Sequence, residues 1–374
     1  MMSAPVPLAT AIPPARVSAG AILTAARLLL PQMAHGEPLA SAQLRKALEA
    51  AFGASDASGA WDWKTVYETG ETACVLFLRK YGRQLFQNAA TPLARLTALT
   101  RIAELFPTHT RRSEESQAFQ QFSTPLPLAL AAVTAAQISA SDHVLEPSAG
   151  TGLLAILAEI FGAALSLNEL AEERAELLTA LFPASPVSRH DAAQINDHLA
   201  DDIAPSVILM NPPFSVMANV SGRVSDAAYR HIASALARLQ PGGRLVAITG
   251  AGLSPDNPVW AEAFDRLQSN ATVVFSAAIN GSVYARHGTT TATRLTVIDK
   301  RCRTDAHSAP ALPGIAPDVA TLLDWIALHV PPRPAIDKPT PPRSPATGPI
   351  LVSIPRRKPP RPAAKAALDV PVAE

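Results

Sequence analysis

The stretch "VILMNPPFSV", residues 207–216, carries a continuous apolar run into an amide, two prolines and an aromatic ring. Val207 to Met210 reads as a short buried strand, because a brief apolar run bounded by turn-formers suits a sheet covered on both faces. Pro212 and Pro213 lack backbone donors, so neither sheet pairing nor a helix continues directly from that run. Asn211 and Phe214 are therefore expected on a stiff loop at the carboxyl end of a strand, where α/β sheets bind ligands. Such a loop offers rigid hydrogen-bond acceptors beside an aromatic face.

Upstream, "HVLEPSAGTGLLAILA" (143–158) predicts a strand running into Glu146, a turn through Gly150, Thr151 and Gly152, and then a helix. Glycines there let backbone approach a ligand closely, at the positive end of the following helix. The next strand ends in "LNEL", and its Glu169 falls about 20 residues on, where a carboxylate can bind ribose hydroxyls. The turn lacks the third glycine of the dinucleotide fingerprint, and no Walker A sequence occurs in the chain. A cofactor with adenosine but no phosphates fits this pattern, and S-adenosylmethionine is the obvious one.

These residues need a sheet to position them. From Ser139 short apolar or β-branched runs alternate with helical segments, the signature of βαβ units. Strands are expected at 143–146, 164–168, 206–210, 244–249, 271–276 and 294–299, with a weaker one near Val187. Helices such as Glu172–Leu181 and Asp226–Leu239 lie between them. Residues 17–118 are Leu-, Ala- and Arg-rich at helical spacing and are expected to form an all-helical domain. Residues 1–16 are Pro/Ala-rich and expected to be disordered. Residues 331–374 hold 13 prolines and read as a basic Pro-rich tail or linker.

Composition narrows the classes. With 48% hydrophobic and 17% charged residues, the 374-residue chain can bury a large core. No apolar stretch reaches the length of a membrane span; the longest, Ala21–Leu30, contains Arg27 and stops at Pro31. Pro5, Pro7, Pro13 and Pro14 break up any signal pattern at the N-terminus. Cys74 and Cys302 lack close partners, and the histidines lack metal-ligand spacing, so neither a disulfide framework nor a metal site is expected. A reducing cytoplasm fits. The net charge of +1 hides a segregation: Arg79 to Arg112 carries seven basic residues and one acid, and 331–374 carries eight and three. Such basic regions suit a polyanion partner, or are solvated faces and a soluble tail.

In this order and spacing, "EPSAGTG", "NEL", "HDAA" and "NPPF" resemble the S-adenosylmethionine-dependent amino-group methyltransferases. "FQQFSTPLPLA" (119–129) resembles the segment that precedes the glycine loop in γ-type adenine-N6 DNA methyltransferases. The resemblance covers roughly residues 119–300. It implies a Rossmann-like class I methyltransferase domain over 119–330, with a mostly parallel seven-stranded sheet behind the helical region. Ser123, Thr124 and Pro125 would border the methionine part of the cofactor. Glu146, Ser148, Gly150 and Gly152 would form its cradle, and Glu169 would bind ribose. Asp191 would contact the adenine amino group, or else is an ordinary loop cap. Asn211, Pro212, Pro213 and Phe214 would form the catalytic segment.

The resemblance gives the opening motif its physical role. An amine conjugated to a base ring is a poor nucleophile because its lone pair is delocalised. The Asn211 amide oxygen and the Pro212 carbonyl can each accept one amine hydrogen, favouring a pyramidal nitrogen. The prolines hold those acceptors in place, and Phe214 offers a face for a flipped base. "NGSVYARHGTTTATRLTVIDK" (280–300) reads as a polar, mobile loop, with Tyr284, Arg286 and His287 near the substrate or in a solvated hairpin. With that segment, the pattern resembles the methylase-like N-terminal part of bacterial strawberry-notch-type methylase/helicase proteins, which implies a helicase domain or subunit as partner. The implied function is adenine-N6 methylation of DNA. RNA or protein glutamine-amide methylation and a non-catalytic nucleic-acid-binding module stand as alternatives. The basic stretch and "FSTP" favour nucleic acid, and the intact "NPPF" and glycine loop argue against decay.

Overall fold

The computed structural model describes residues 18–108, 123–213, 216–218, 222–224, 226–301, 309–334 and 336. Among the described residues four helices come first: α1 (Ala19–Ala34), α2 (Ser41–Phe52), α3 (Trp63–Asn88) and α4 (Pro92–Glu104). Then follow α5 (Leu126–Ala136), β1 (His143–Glu146), α6 (Leu153–Ile160), β2 (Ala164–Asn168), α7 (Glu172–Leu181) and β3 (Val187–Ser188). A short helix α8 (Ile195–His198) leads to β4 (Val207–Met210) and to a small hairpin, β5 (Val216–Ala218) and β6 (Gly222–Val224). The rest comprises α9 (Ala227–Arg238), β7 (Arg244–Gly250), α10 (Ala261–Leu267), β8 (Ala271–Ile279), β9 (Thr293–Lys300), β10 (Ile315–Ala316) and α11 (Val319–His329).

Among the described residues the main sheet has eight strands in the order β3-β2-β1-β4-β7-β9-β8-β10. The pairings are parallel except at β9, which runs antiparallel to both β7 and β8. This is a doubly wound, Rossmann-like arrangement. The chain builds outward from β1 through β2 to β3, then returns to β4 on the other side of β1. That reversal opens a crevice at the carboxyl ends of β1 and β4.

Strand β4 shows why the sequence folds this way. Val207 and Leu209 enter one hydrophobic cluster, while Ile208 and Met210 enter the other. Successive side chains of a strand point to opposite faces, so a run of four apolar residues suits a strand with helices on both sides. The first cluster joins β4 to α1, α3, α4, α5, α6 and α11 through Leu29, Leu78, Leu99, Leu128, Ile156 and Leu322. The second joins it to α9 and α10 through Ile232, Leu236 and Phe264.

Three expectations change. The sheet has eight strands rather than seven, because Ile315–Ala316 pairs in parallel with Ala278–Ile279. Two residues carry no periodicity, so this strand exists only through its neighbour. The helices of residues 18–104 do not have a core of their own; they share the first cluster with the sheet. The basic stretch is also partly internal. Arg79 pairs with Glu159 at 2.8 Å, donates to the Leu181 carbonyl and lies 4.6 Å from the Phe182 ring centroid. Arg95 sits over Phe86 and Phe161 and donates to the Ala89 carbonyl at 3.0 Å. Lys80, Arg83 and Arg101 remain exposed, whereas Arg111 and Arg112 lie outside the described residues.

At the opposite, amino end of the strands, the start of the Pro-rich tail is tied down. Arg244, fully buried, pairs with Asp299 at 2.7 Å and donates to the Pro331 carbonyl at 3.1 Å. Arg333 pairs with Asp142 at 2.8 Å. The rest of the tail, apart from Ile336, lies outside the described residues, as do residues 1–17. Among the described residues no helix is long and apolar enough to cross a membrane.

Candidate functional site

The crevice at the carboxyl ends of β1, β2 and β4 is a cleft of about 390 Å³. Most of the residues singled out from sequence line it. Ser123, Thr124, Glu146, Ser148, Gly150, Glu169, Asp191, Asn211, Pro212 and Pro213 all line it. Pro125 and Gly152 are not lining residues. Pro125 sits at the N-cap of α5, its carbonyl accepting from the Ala129 amide at 2.9 Å. Gly152 is the N-cap of α6 with φ of 88°, and a Cβ there would lie 2.5 Å from the Phe182 ring. Its smallness serves helix packing rather than ligand approach. Phe214 lies outside the described residues.

The glycine turn is held from several sides. The Ala149 amide donates to the Asn168 carbonyl at 2.9 Å, and the Gly152 amide closes the turn on the Ala149 carbonyl at 2.8 Å. Gly150 has φ of 56°, a conformation glycine adopts without strain, and a Cβ built on it meets no atom within 4 Å. Gly150 itself lines the cleft. The Gly150 amide donates to Glu169 Oε2 at 2.9 Å, and Glu169 Oε1 accepts from the Ala171 amide at 3.0 Å. An ionised carboxylate has about four lone-pair sites, so two backbone bonds do not exhaust it as an acceptor for hydroxyls.

Asn168, the residue before Glu169, is a positioning element that the sequence reading passed over. Its amide donates to the carbonyls of Pro147 and His190, both at 2.9 Å. Its oxygen accepts from the His190 amide at 2.9 Å and the Ser188 hydroxyl at 2.8 Å. One buried side chain thus ties together the ends of β1, β2 and β3. The visible signal was an asparagine closing an apolar strand in "LNEL". Asp191 accepts from the Ala193 amide at 2.9 Å, so it is a loop cap, and it also lines the cleft.

The Asn211 amide is oriented. Its nitrogen donates to Thr124 Oγ1 at 2.9 Å, which makes its oxygen the acceptor end. Tyr284, fully buried, brings its hydroxyl within interaction range of Asn211 without hydrogen-bond geometry. Burial pushes the phenol above its usual range. Tyr284 belongs to a single 3₁₀ segment, Gly281–His287, where a loop was expected. In that segment Arg286 turns away to donate to the Phe106 carbonyl at 2.6 Å, and His287 packs edge-on to Tyr284.

The cleft is lined by three acids, Glu146, Glu169 and Asp191, and by two arginines, Arg174 and Arg230. Glu146 is 2% exposed, lines the cleft, and has one carboxyl oxygen buried without a hydrogen-bond partner. Burial, reinforced by the nearby charge of Glu169, raises its pKa well above the usual carboxylate value. Glu71 lies behind the turn, raised for the same first reason, burial. Arg174 lines the cleft but is committed to Glu68 at 2.7 Å. A second residue unforeseen from sequence, His231 of α9, also lines the cleft, with Nδ1 buried and unpartnered. Burial lowers its pKa, which favours the neutral imidazole. The unpartnered Glu146 oxygen suits a positively charged ligand better than a phosphate.

No family model and no curated protein matches this sequence. Several of the solved structures that it resembles are named as methyltransferases. TrmN from Thermus thermophilus is 19% identical over 50% of this chain and 52% of its own, with a TM-score of 0.35. The chain therefore spans about half the length of that protein. The methyltransferase subunit of a type I restriction-modification system from Streptococcus thermophilus is 13% identical over 83% of this chain and 85% of its own, with a TM-score of 0.45. The 16S rRNA N2 G1207 methyltransferase RsmC from T. thermophilus, solved with AdoMet and guanosine, is 19% identical over 48% of this chain and 44% of its own, with a TM-score of 0.33.

Proposed function

We propose that this chain is an S-adenosylmethionine-dependent methyltransferase of the class I type, acting on the exocyclic N6 amine of adenine in DNA. The observation that carries this reading is one cleft holding both a glycine turn braced by Glu169 and an asparagine amide aimed by Thr124. Two features fit the cofactor. The space beside Gly150 that a Cβ would fill accommodates close ligand approach, and the unpartnered Glu146 oxygen suits a cation. When bound, S-adenosylmethionine supplies an electrophilic methyl group on a sulfonium centre.

The chain's own residues do the rest. Gly150 lets the ligand lie against backbone, Glu169 accepts from ribose hydroxyls, and Asp191, which also lines the cleft, accepts from the adenine amino group. Asn211 Oδ1 and the Pro212 carbonyl accept the two hydrogens of the target amine. As that nitrogen pyramidalises, its hydrogens become more acidic and both bonds strengthen, so the gain falls in the transition state. Phe214 completes the segment as a stacking face. The exposed Lys80, Arg83 and Arg101 offer phosphate contacts, and the strawberry-notch-type resemblance, with a helicase as partner, belongs to the same proposal.

Labelled-methyl transfer from S-adenosylmethionine to DNA, RNA and total protein in parallel tests it. Label in the adenine of DNA is the expected result. Label in RNA or in a glutamine amide replaces the substrate, and no transfer with intact cofactor binding leaves a non-catalytic module.

Glu146 adds a pH dependence. A bound cation favours the ionised carboxyl, whereas burial holds it protonated in the free protein to higher pH than an ordinary carboxylate. Cofactor binding should therefore release a proton, and affinity should rise with pH until Glu146 ionises in the free protein as well. Calorimetry in buffers of different ionisation enthalpy measures that proton, and Glu146→Gln should abolish its release.

A further inference from the structure

We infer that Glu71 of α3 is a positioning residue that locks the glycine turn to the amine-holding segment, making the N-terminal helical layer part of the cofactor site. The inference rests on the cofactor reading above. Glu71 is 8% exposed, and its Oε2 accepts from the Thr151 hydroxyl at 2.7 Å. The Ser123 hydroxyl also reaches this carboxylate. Ser123 precedes Thr124, which holds the Asn211 amide. One carboxylate thus bridges α3, the turn between β1 and α6, and the segment leading into α5.

One turn earlier on α3, Glu68 accepts from Arg174 Nε at 2.7 Å. Arg174 in turn lies in the field of Glu169, whose Oε2 holds the Gly150 amide. Gly150 and Thr151, adjacent in the turn, are each held by a different acid. The buried face of α3 carries Thr65, Glu68, Thr69, Glu71 and Thr72 in succession. Packing alone gives no reason for this, because apolar side chains there would avoid the cost of burying carboxylates. A buried charge is justified where it fixes a geometry, and here the geometry is that of the backbone a ligand approaches. Prior fixing of that backbone reduces the ordering cost of binding.

The test uses the full chain and four variants: Glu71→Ala, Glu71→Gln, Thr151→Val and the double variant Glu71→Ala/Thr151→Val. Calorimetric affinity for S-adenosylmethionine is measured beside a melting curve, at a temperature where each protein is folded. Glu71→Ala should weaken binding about tenfold or more, the scale of losing a hydrogen bond to a charged group. Thr151→Val should weaken it in the same direction, and the double variant should resemble Glu71→Ala, because both remove one shared contact. Glu71→Gln should recover most of the affinity, since an amide oxygen can still accept from Thr151. If Glu71→Ala does not fold, Thr151→Val, which exchanges only a hydroxyl for a methyl, carries the test. Variants that melt lower yet bind like wild type would overturn the inference and leave Glu71 a fold residue. Wild-type protein that fails to bind the cofactor would instead overturn the cofactor reading itself.

Discussion

Asn211→Ala leaves S-adenosylmethionine affinity nearly unchanged and lowers the rate of methyl transfer on the order of a hundredfold or more, the usual cost of removing a preorganised transition-state hydrogen bond. The Asn211 nitrogen is committed to Thr124, so the amide oxygen is the end that meets a substrate amine. Before reaction that amine is planar and its hydrogens are modest donors. They become stronger donors as the nitrogen turns pyramidal, so the loss appears in kcat rather than in KM. The substitution also strips Thr124 Oγ1, in a side chain only 6% exposed, of its donor. A buried group left unpaired costs about 1–3 kcal/mol, so some loss of melting temperature should accompany the kinetic effect. Rates taken well below that melting point separate the two. A folded Asn211→Ala protein with the wild-type transfer rate would remove the amine clamp from the account.

The two glycines of the turn should fail differently. Gly150→Val should abolish cofactor binding while the protein stays folded. Gly150 lines the cleft and a Cβ there meets no atom within 4 Å, so the added side chain is expected to take up ligand space. Its left-handed backbone adds about 1–2 kcal/mol of strain for a non-glycine residue. Gly152→Ala should chiefly lower stability. There the Cβ would meet Phe182 ring carbons at 2.5 and 2.9 Å, and φ is 88°. Overpacking of this kind costs about 1–3 kcal/mol, with backbone strain in addition. Melting curves and calorimetry on both variants check the contrast. Equal cofactor binding by Gly150→Val and wild type would show that the turn is not a ligand cradle.

Much of this site was legible before the structure, because its signals are local. The run Val207–Met210 followed by two prolines predicts a strand that must stop, and it stops there. "EPSAGTG" predicts strand, turn and helix in the order found. What escaped depends on contacts between distant residues. Glu71 meets Thr151 across 80 residues, and helical periodicity alone assigns an acid on α3 to solvent. Arg79 looked like part of a basic surface until Glu159, Leu181 and Phe182 proved to surround its guanidinium. His231 shows no spacing to a partner because it faces a cleft rather than another side chain. The two-residue β10 has no pattern of its own and is defined by β8 alone.

The central claim is that this cleft takes a cationic adenosine cofactor in preference to phosphate-bearing ones. Calorimetric titration of the wild-type chain with S-adenosylmethionine, beside NAD and ATP, tests it most directly. Saturable binding of S-adenosylmethionine, lost in Gly150→Val, with no heat from NAD or ATP, is the predicted result. Saturable binding of NAD or ATP in that cleft, with none of S-adenosylmethionine, would contradict it.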